Sequence, residues 1–493
     1  MIATFKQQRP SLLIGALLVL SFIAYYLLAY YTLRTEVYQV FSLFGVLFLA
    51  YGLLYKYARN ASSYHLLLVA AVLFRVLLLF VLPNLSDDFY RFNWDGRLLG
   101  NGISPFAGLP IHFMDGTFQG AIPSNITPAL FEQLNSPKYF TIYPPVCQFI
   151  FWLGCLFFPN DLYGATVVMK TCLLCFEVGS IFLLHRMVQK LGLQPKKVLL
   201  YALNPLVIVE LTGNLHFEAA MIFFILLAIY FLMGESKENE KGILGQWIVG
   251  KHSIGVSNRQ WIFSATAMGL GIASKLIPMI FLPLLIRHIG WKKSILYGAI
   301  AGIVSLAGFV PLFTFDILQN LFSSIGLYFQ KFEFNASIYY LNRSAGYYFF
   351  GYNIVETAGK NLALFTIMGI LVLAFWRRNM VIAKSQKLIG FDAEHIGVLI
   401  EGCLFALLIY FALANIVHPW YVSSLVALCV FTPFRFPILW SGMAVLTYYT
   451  YLTDAYTENL YLVALEYVVV YGYLIWELRK YFLTAIQKNQ SPL

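Results

Sequence analysis

Three carboxylates and two arginines fall within twelve consecutive residues, Ser86-Asp87-Asp88-Phe89-Tyr90-Arg91-Phe92-Asn93-Trp94-Asp95-Gly96-Arg97, of a chain in which only 11% of residues are charged. The stretch follows directly on an apolar run, Tyr64 to Pro83, long enough to cross a bilayer. Ionised side chains at the edge of a hydrocarbon core are costly, so their presence there points to substrate handling or proton transfer. Ser86 reads as a helix N-cap, with Asp87 and Asp88 in the first turn where carboxylates favour the helix dipole. A helix continuing to Leu99, before the stop at Gly100-Asn101-Gly102, places Asp88, Arg91 and Asp95 on one face and makes Asp87 and Arg91 an i, i+4 pair. One carboxylate is then held by arginine while the other is left to take a proton. A capped surface helix with an ordinary ion-pair network would use the same residues; the position against a membrane favours the site.

Other unusual polar residues gather at the same ends of the apolar runs: Tyr143, Asn214-Leu215-His216-Phe217-Glu218, Lys275, Asn342-Arg343 and His418. His216 and Glu218, as His-x-Glu at the depth of the Asp pair, are candidates for proton or phosphate handling. Lys275 stands at a break between two short apolar arms, with Pro278 and Pro283 in the second, where an ammonium either meets a phosphate or snorkels to the interface. His418-Pro419-Trp420-Tyr421 reads either as part of the site or as an aromatic interface anchor.

The elements that must position these residues are transmembrane helices. The 493 residues are 60% hydrophobic and 17% aromatic, far from the usage of a soluble globular protein, and the mean hydropathy is +0.73. Apolar runs recur from end to end at roughly the 20-residue length that spans a bilayer, and they do not alternate as barrel strands would. The net charge of +10 sits in short connections between runs, which speaks for membrane topology and against a nucleic-acid partner. All six cysteines lie inside apolar runs, and no disulfide framework is implied. With Lys6 and Arg9 holding the N-terminus in the cytoplasm, the positive-inside rule puts 84–143 and 315–360 in two large external loops and returns the C-terminus to the cytoplasm. Counted this way the runs make roughly thirteen to fourteen spans, with 145–159 re-entrant or lying in the interface. The expectation is an all-α polytopic protein, a single membrane domain over 1–493.

Taken together, Asp87-Asp88-x-Tyr90-Arg91-Phe92-x-Trp94-Asp95-Gly96-Arg97, Gly102-x-Ser104-Pro105-Phe106, Tyr143-Pro144-Pro145, Asn204-Pro205-Leu206, Gly213-Asn214-x-His216-x-Glu218, Lys275-x-x-Pro278 and His418-Pro419-Trp420-Tyr421 resemble the GT-C superfamily of membrane glycosyltransferases. The resemblance is to the polyprenyl-phosphate-mannose-dependent mannosyltransferases, including glycosyltransferase family 87, and it runs in order along most of the chain. It implies a GT-C-type fold, a hexose such as mannose donated from a polyprenyl phosphate, a glycolipid or glycan acceptor, and inversion at the anomeric carbon. It also implies an acidic catalytic base in the first external loop, which falls on Asp88 with Asp87 beside it. Arg91, Lys275, His216 and Arg343 are then cations for the donor phosphate; Glu218, Tyr143, His418 and Asp95 line the substrate site. A bacterial inner membrane with a periplasmic active site is the implied setting. The spacing here is Asp-Asp where similar sequences have Asp-x-Asp, so neither a divalent metal nor another cofactor is favoured. A secondary transporter or flippase with a proton relay, and a polysaccharide ligase or polymerase using a diphosphate-linked donor, are the competing readings. A transporter needs polar residues along both half-channels, whereas these cluster at one side.

Overall fold

The computed structural model describes residues 2–233, 258–314, 332–375, 393–453 and 456–490, together with 317, 319, 320, 323 and 326. Backbone in hydrocarbon has no water to bond, so apolar runs satisfy their N–H and C=O groups internally as helices. The helices that matter here are α1 (Ile2–Tyr30), α2 (Val37–Tyr57), α3 (Ala61–Leu79), α4 (Asp88–Gly100), α5 (Pro145–Phe157), α6 (Leu162–Lys190), α7 (Glu218–Leu232), α8 (Asn258–Ser274), α9 (Leu282–Ile289), α10 (Trp291–Ala307), α11 (Ile338–Phe350), α12 (Val355–Phe375), α13 (Ala393–Leu413), α14 (Val422–Cys429) and α15 (Leu460–Gln490). Among the described residues the only β feature is an isolated parallel bridge between Phe334 and Ile416. The fold is the all-α polytopic one expected.

Eight helices among the described residues are long and apolar enough to cross a membrane, or nine if the pair Pro205–Gly213 and Glu218–Leu232, bent by 112°, is one span. The roughly thirteen to fourteen runs counted along the sequence differ from this because several fold as shorter apolar helices, Pro145–Phe157, Ile277–Ile289 and Pro419–Cys429 among them. Thirteen residues of α5 reach only ~20 Å against a hydrocarbon core of ~30 Å. Both of its ends meet the segment 84–143: Tyr143 donates to Asp88, and Asn125 donates to the Pro159 carbonyl. The basic connections at Lys237, Lys241 and Lys251, and at Arg377, Arg378, Lys384 and Lys387, lie outside the described residues.

At the end of the bundle far from Asp88, where α7 and α2 finish, Lys190 donates to the Met233 carbonyl and Lys196 lies over the Tyr55 ring. The near end is tied by Tyr30 to the Leu77 carbonyl, Tyr163 to the Phe80 carbonyl and Asn84 to the carbonyls of Leu28 and Thr32. Segment 101–143 folds over α4 around its own small core of Trp94, Leu98, Phe113, Ile126, Leu130 and Leu134.

What sets α4 in place is a close approach to α5. A Cβ at Gly96 would collide with the Phe151 carbonyl oxygen and sit 2.7 Å from Cys155 Sγ, and one turn away Phe92 stacks on Phe151 with centroids 4.6 Å apart. The glycine of Trp94-Asp95-Gly96 is there for contact. Gly96→Ala is therefore expected to cost about 1–3 kcal/mol by overpacking, read as a lower melting temperature in detergent. Gly100→Ala in the same helix, with nothing within 4 Å of the new Cβ, is expected to leave stability nearly unchanged.

Candidate active site

The first turn of α4 divides its two carboxylates as the sequence suggests, but with a different arginine. Asp87 is the N-cap residue and forms an ion pair with Arg34, from the α1–α2 connection. Arg34 also hydrogen bonds Tyr456 at 3.0 Å and lies 5.1 Å from the centroid of Tyr451. Asp88 is half-buried and takes its partners from neutral donors: Asn135 Nδ2 at 2.9 Å and the Tyr143 hydroxyl at 3.2 Å. Burial and the adjacent Asp88 carboxylate push the Tyr143 phenol well above its ordinary range, so it remains a donor. Ser86 is displaced from the expected cap position, although its hydroxyl still accepts from the Asp88 N–H at 3.4 Å.

The expected Asp87–Arg91 pair does not form. Arg91 is buried and bonded to Asp95, one turn further on, at 2.8 Å, and it donates to the carbonyls of Ser136 and Tyr139. Asp95 also accepts from Gln148 on α5 at 3.0 Å, and Gln148 bonds Thr141. Both residues on the buried face of α4 are thus committed to holding the 135–143 segment that carries Asn135 and Tyr143. Arg91, expected at the donor phosphate, is instead bonded to Asp95 and to two loop carbonyls.

Opposite Asp88, the interrupted helix brings in a second group. Asn204 caps Pro205–Val207, a π-helical turn follows over Ile208–Gly213, and Leu215 adopts a left-handed φ of 63° before α7 begins at Glu218. Asn214 accepts from the Leu85 N–H at 3.4 Å, which joins this break to the approach to Asp88. Glu218 forms an ion pair with Lys275, which sits in the break after α8 and lies 4.2 Å from the Tyr421 ring centroid. His216 stacks on Trp420 with centroids 3.7 Å apart, and His418 stacks on the same indole at 4.4 Å. Burial, then Lys275 and His216, push the His418 imidazole down to about 3. It is held neutral, and its part in the site is stacking and hydrogen bonding, with no charge to offer a phosphate.

Arg343 belongs to a separate polar cluster. It pairs with Glu333, which also accepts from Tyr339 at 2.6 Å, while Tyr340 bonds Glu458. This cluster meets the first through Phe334, whose ring centroid is 4.9 Å from that of His418. Of the four cations expected to meet a donor phosphate, Lys275 and His216 gather at the helix break with Glu218, Trp420 and Tyr421, while Arg91 is bonded to Asp95 and Arg343 to Glu333. Among the described residues, no group of three or more His, Cys, Asp and Glu side chains is placed to hold a metal ion.

Sequence reasoning missed Arg34, Asn135, Glu210 and Tyr451. Arg34 stands in a short connection, Asn135 in a loop without pattern and Glu210 inside an apolar run. No spacing signal was available for any of them. The Glu218–Lys275 pair carries a direct test. Glu218 is buried, so Lys275→Met strands a carboxylate at a cost of about 3–5 kcal/mol, whereas the Lys275→Met/Glu218→Gln double variant is expected to recover most of that loss in thermal melts.

Residues 10–290, more than half of the chain, match the family described as Alpha-(1->6)-mannopyranosyltransferase, N-terminal domain. No curated protein matches the chain. The matched region carries the Asp87–Asp88 turn, Tyr143, the interrupted helix with His216 and Glu218, and Lys275. The chain belongs to the alpha-(1->6)-mannopyranosyltransferase family, and it is a membrane glycosyltransferase.

Proposed function

We propose that this mannosyltransferase takes mannose from a polyprenyl-phosphate-linked donor and passes it, with inversion, to a hydroxyl of a glycan or glycolipid at the external face of the membrane, with Asp88 as the catalytic base. The observation that carries the reading is the unequal treatment of the two adjacent carboxylates. Asp87 is bound to Arg34, and Asp88 is oriented by Asn135 and Tyr143 with no cation on it among the described residues. A carboxylate held in that way is aimed and open to a proton.

In the reaction the acceptor oxygen attacks the anomeric carbon as its proton passes to Asp88, and the bond from that carbon to the phosphate oxygen breaks with its electron pair leaving on the phosphate. Charge growing on the departing phosphate is met by the Lys275 ammonium, which has donors left beyond its bond to Glu218, and by His216. The hydrocarbon tail of such a donor would lie in the bilayer beside the apolar helices, which gives a reason for a transferase of this size to be membrane-embedded. The external orientation is supported by Lys190 and Lys196, which lie at the end of the bundle away from Asp88.

Full-length protein in nanodiscs, supplied with synthetic polyprenyl-phosphate mannose and an oligomannoside, provides the test. Asp88→Asn is expected to keep the melting temperature and lose ~10²–10⁴-fold in rate; full activity removes Asp88 as the base. Asp87→Asn and Arg34→Gln are expected to cause smaller losses that do not add, because they break the same pair. Transfer that proceeds from a diphosphate-linked donor and ignores the monophosphate would overturn the donor assignment.

A further inference from the structure

Two aromatic rings outside the chemistry described above connect its two halves. Phe332 meets the Tyr139 ring edge-on with centroids 5.5 Å apart, and Phe334 lies 4.9 Å from the His418 ring. Tyr139 belongs to the 135–143 segment, which carries the two donors to Asp88 and is held by Arg91. His418 belongs to the segment whose Trp420 stacks on His216 and whose Tyr421 lies against Lys275. Residues 332–334 run from one to the other as strand-like chain, in which alternate side chains share a face. Glu333, between the two rings, turns to Arg343 and Tyr339.

This strap is bonded along its length to the segment before His418. The Phe334 N–H donates to the Asn415 carbonyl at 3.0 Å, the Val417 N–H donates to the Phe334 carbonyl at 2.9 Å, and the Asn415 side chain donates to the Phe332 carbonyl at 2.8 Å. Asn335 ends the strap with a left-handed φ of 44°, a conformation that asparagine adopts more readily than most residues. Its N–H donates to Glu458 at 2.6 Å, its carbonyl accepts from the Tyr467 hydroxyl at 2.6 Å, and its side-chain nitrogen donates to the Val417 carbonyl and to Glu466. Chain bonded in this way has one register, so the two rings are held two residues apart, at ~7 Å. On the Tyr139 side the strap is joined through the Phe332 ring.

We infer that Phe332 and Phe334 are positioning residues for mannosyl transfer: acting in series across the strap, they set the separation between Asp88 with its donors and the Lys275–His216 group. The inference rests on the roles proposed above for Asp88 and Lys275. A displacement of about 1 Å between a base and a leaving-group ligand costs ~10²-fold in rate without removing either group.

Full-length protein in nanodiscs carrying Phe332→Ala, Phe334→Ala or both provides the test, with kcat expressed per folded, monodisperse molecule. Each single variant is expected to lower kcat roughly 10- to 100-fold with donor and acceptor KM unchanged. The double variant is expected to lose no more than the more damaged single, because opening the link at either end separates the same two halves. Phe332→Tyr, which keeps a ring on Tyr139, is expected to retain the wild-type kcat. Losses that multiply, a loss from one ring alone, or an unchanged kcat whatever happens to KM and melting temperature overturns the inference and leaves the rings as packing. If Phe334→Ala does not accumulate, Phe334→Leu is judged by the same criteria. Failure of the underlying reading shows separately: Asp88→Asn at full rate removes the base, and use of another donor removes the donor assignment. The comparison of single and double variants, run with whichever donor wild type uses, still decides whether the two rings act in series.

Discussion

A helix interrupted inside an apolar bundle has to find partners for every backbone group it releases, and residues 204–218 are built around that demand. Asn204 caps the first piece through Val207 N–H and bonds Ser441 with its amide at 2.8 Å. The Asn214 and His216 N–H groups return to the carbonyls of Val209 and Glu210. The surrounding spans are braced by charges of their own. Arg75 on α3 bonds Glu177 on α6 and the Ala202 carbonyl at 2.7 Å, and Lys170 on α6 reaches the carbonyls of Leu78 and Val81. Only with the break supported in this way are Glu210, His216 and Glu218 buried in protein instead of facing lipid.

The second organising constraint is charge balance in a setting that tolerates little of it. Nearly every ionised group near the site has one dedicated partner: Arg34 with Asp87, Arg91 with Asp95, Lys275 with Glu218, Arg343 with Glu333. Each pairing offsets a cost of burial. Asp88, by contrast, is bonded by neutral groups. Of the three carboxylates in this run, only Asp88 has no cationic partner among the described residues.

Packing supplies the precision. The contact between Gly96 and the α5 backbone, together with the Phe92–Phe151 stack, fixes α4 against the short helix that begins just after Tyr143. Since Arg91 and Asp95 anchor the loop bearing Asn135 and Tyr143, the two donors on Asp88 are held from the same helix that presents it. A sub-ångström error in either contact would be felt at the carboxylate.

The amino-acid sequence by itself determined the class of the protein and most of its polar inventory. Uninterrupted apolar runs admit only helices, charge so close to lipid marks a site, and the ordered motifs around Asp88, His216, Lys275 and His418 were legible because polar residues are conspicuous in an apolar chain. Tertiary structure alone decided which partner each charge takes. The Asp87–Arg91 spacing is sound helix geometry, yet Arg91 turns to Asp95 because that pair is buried against α5, while Arg34, distant in sequence, arrives from the α1–α2 connection to take Asp87. Glu210, Arg75, Lys170 and Glu177 had no signal at all, since a single charge inside an apolar run says nothing about what stands opposite it. Pairing in a low-dielectric interior is set by three-dimensional proximity and burial, and neither is written in the spacing of residues along the chain.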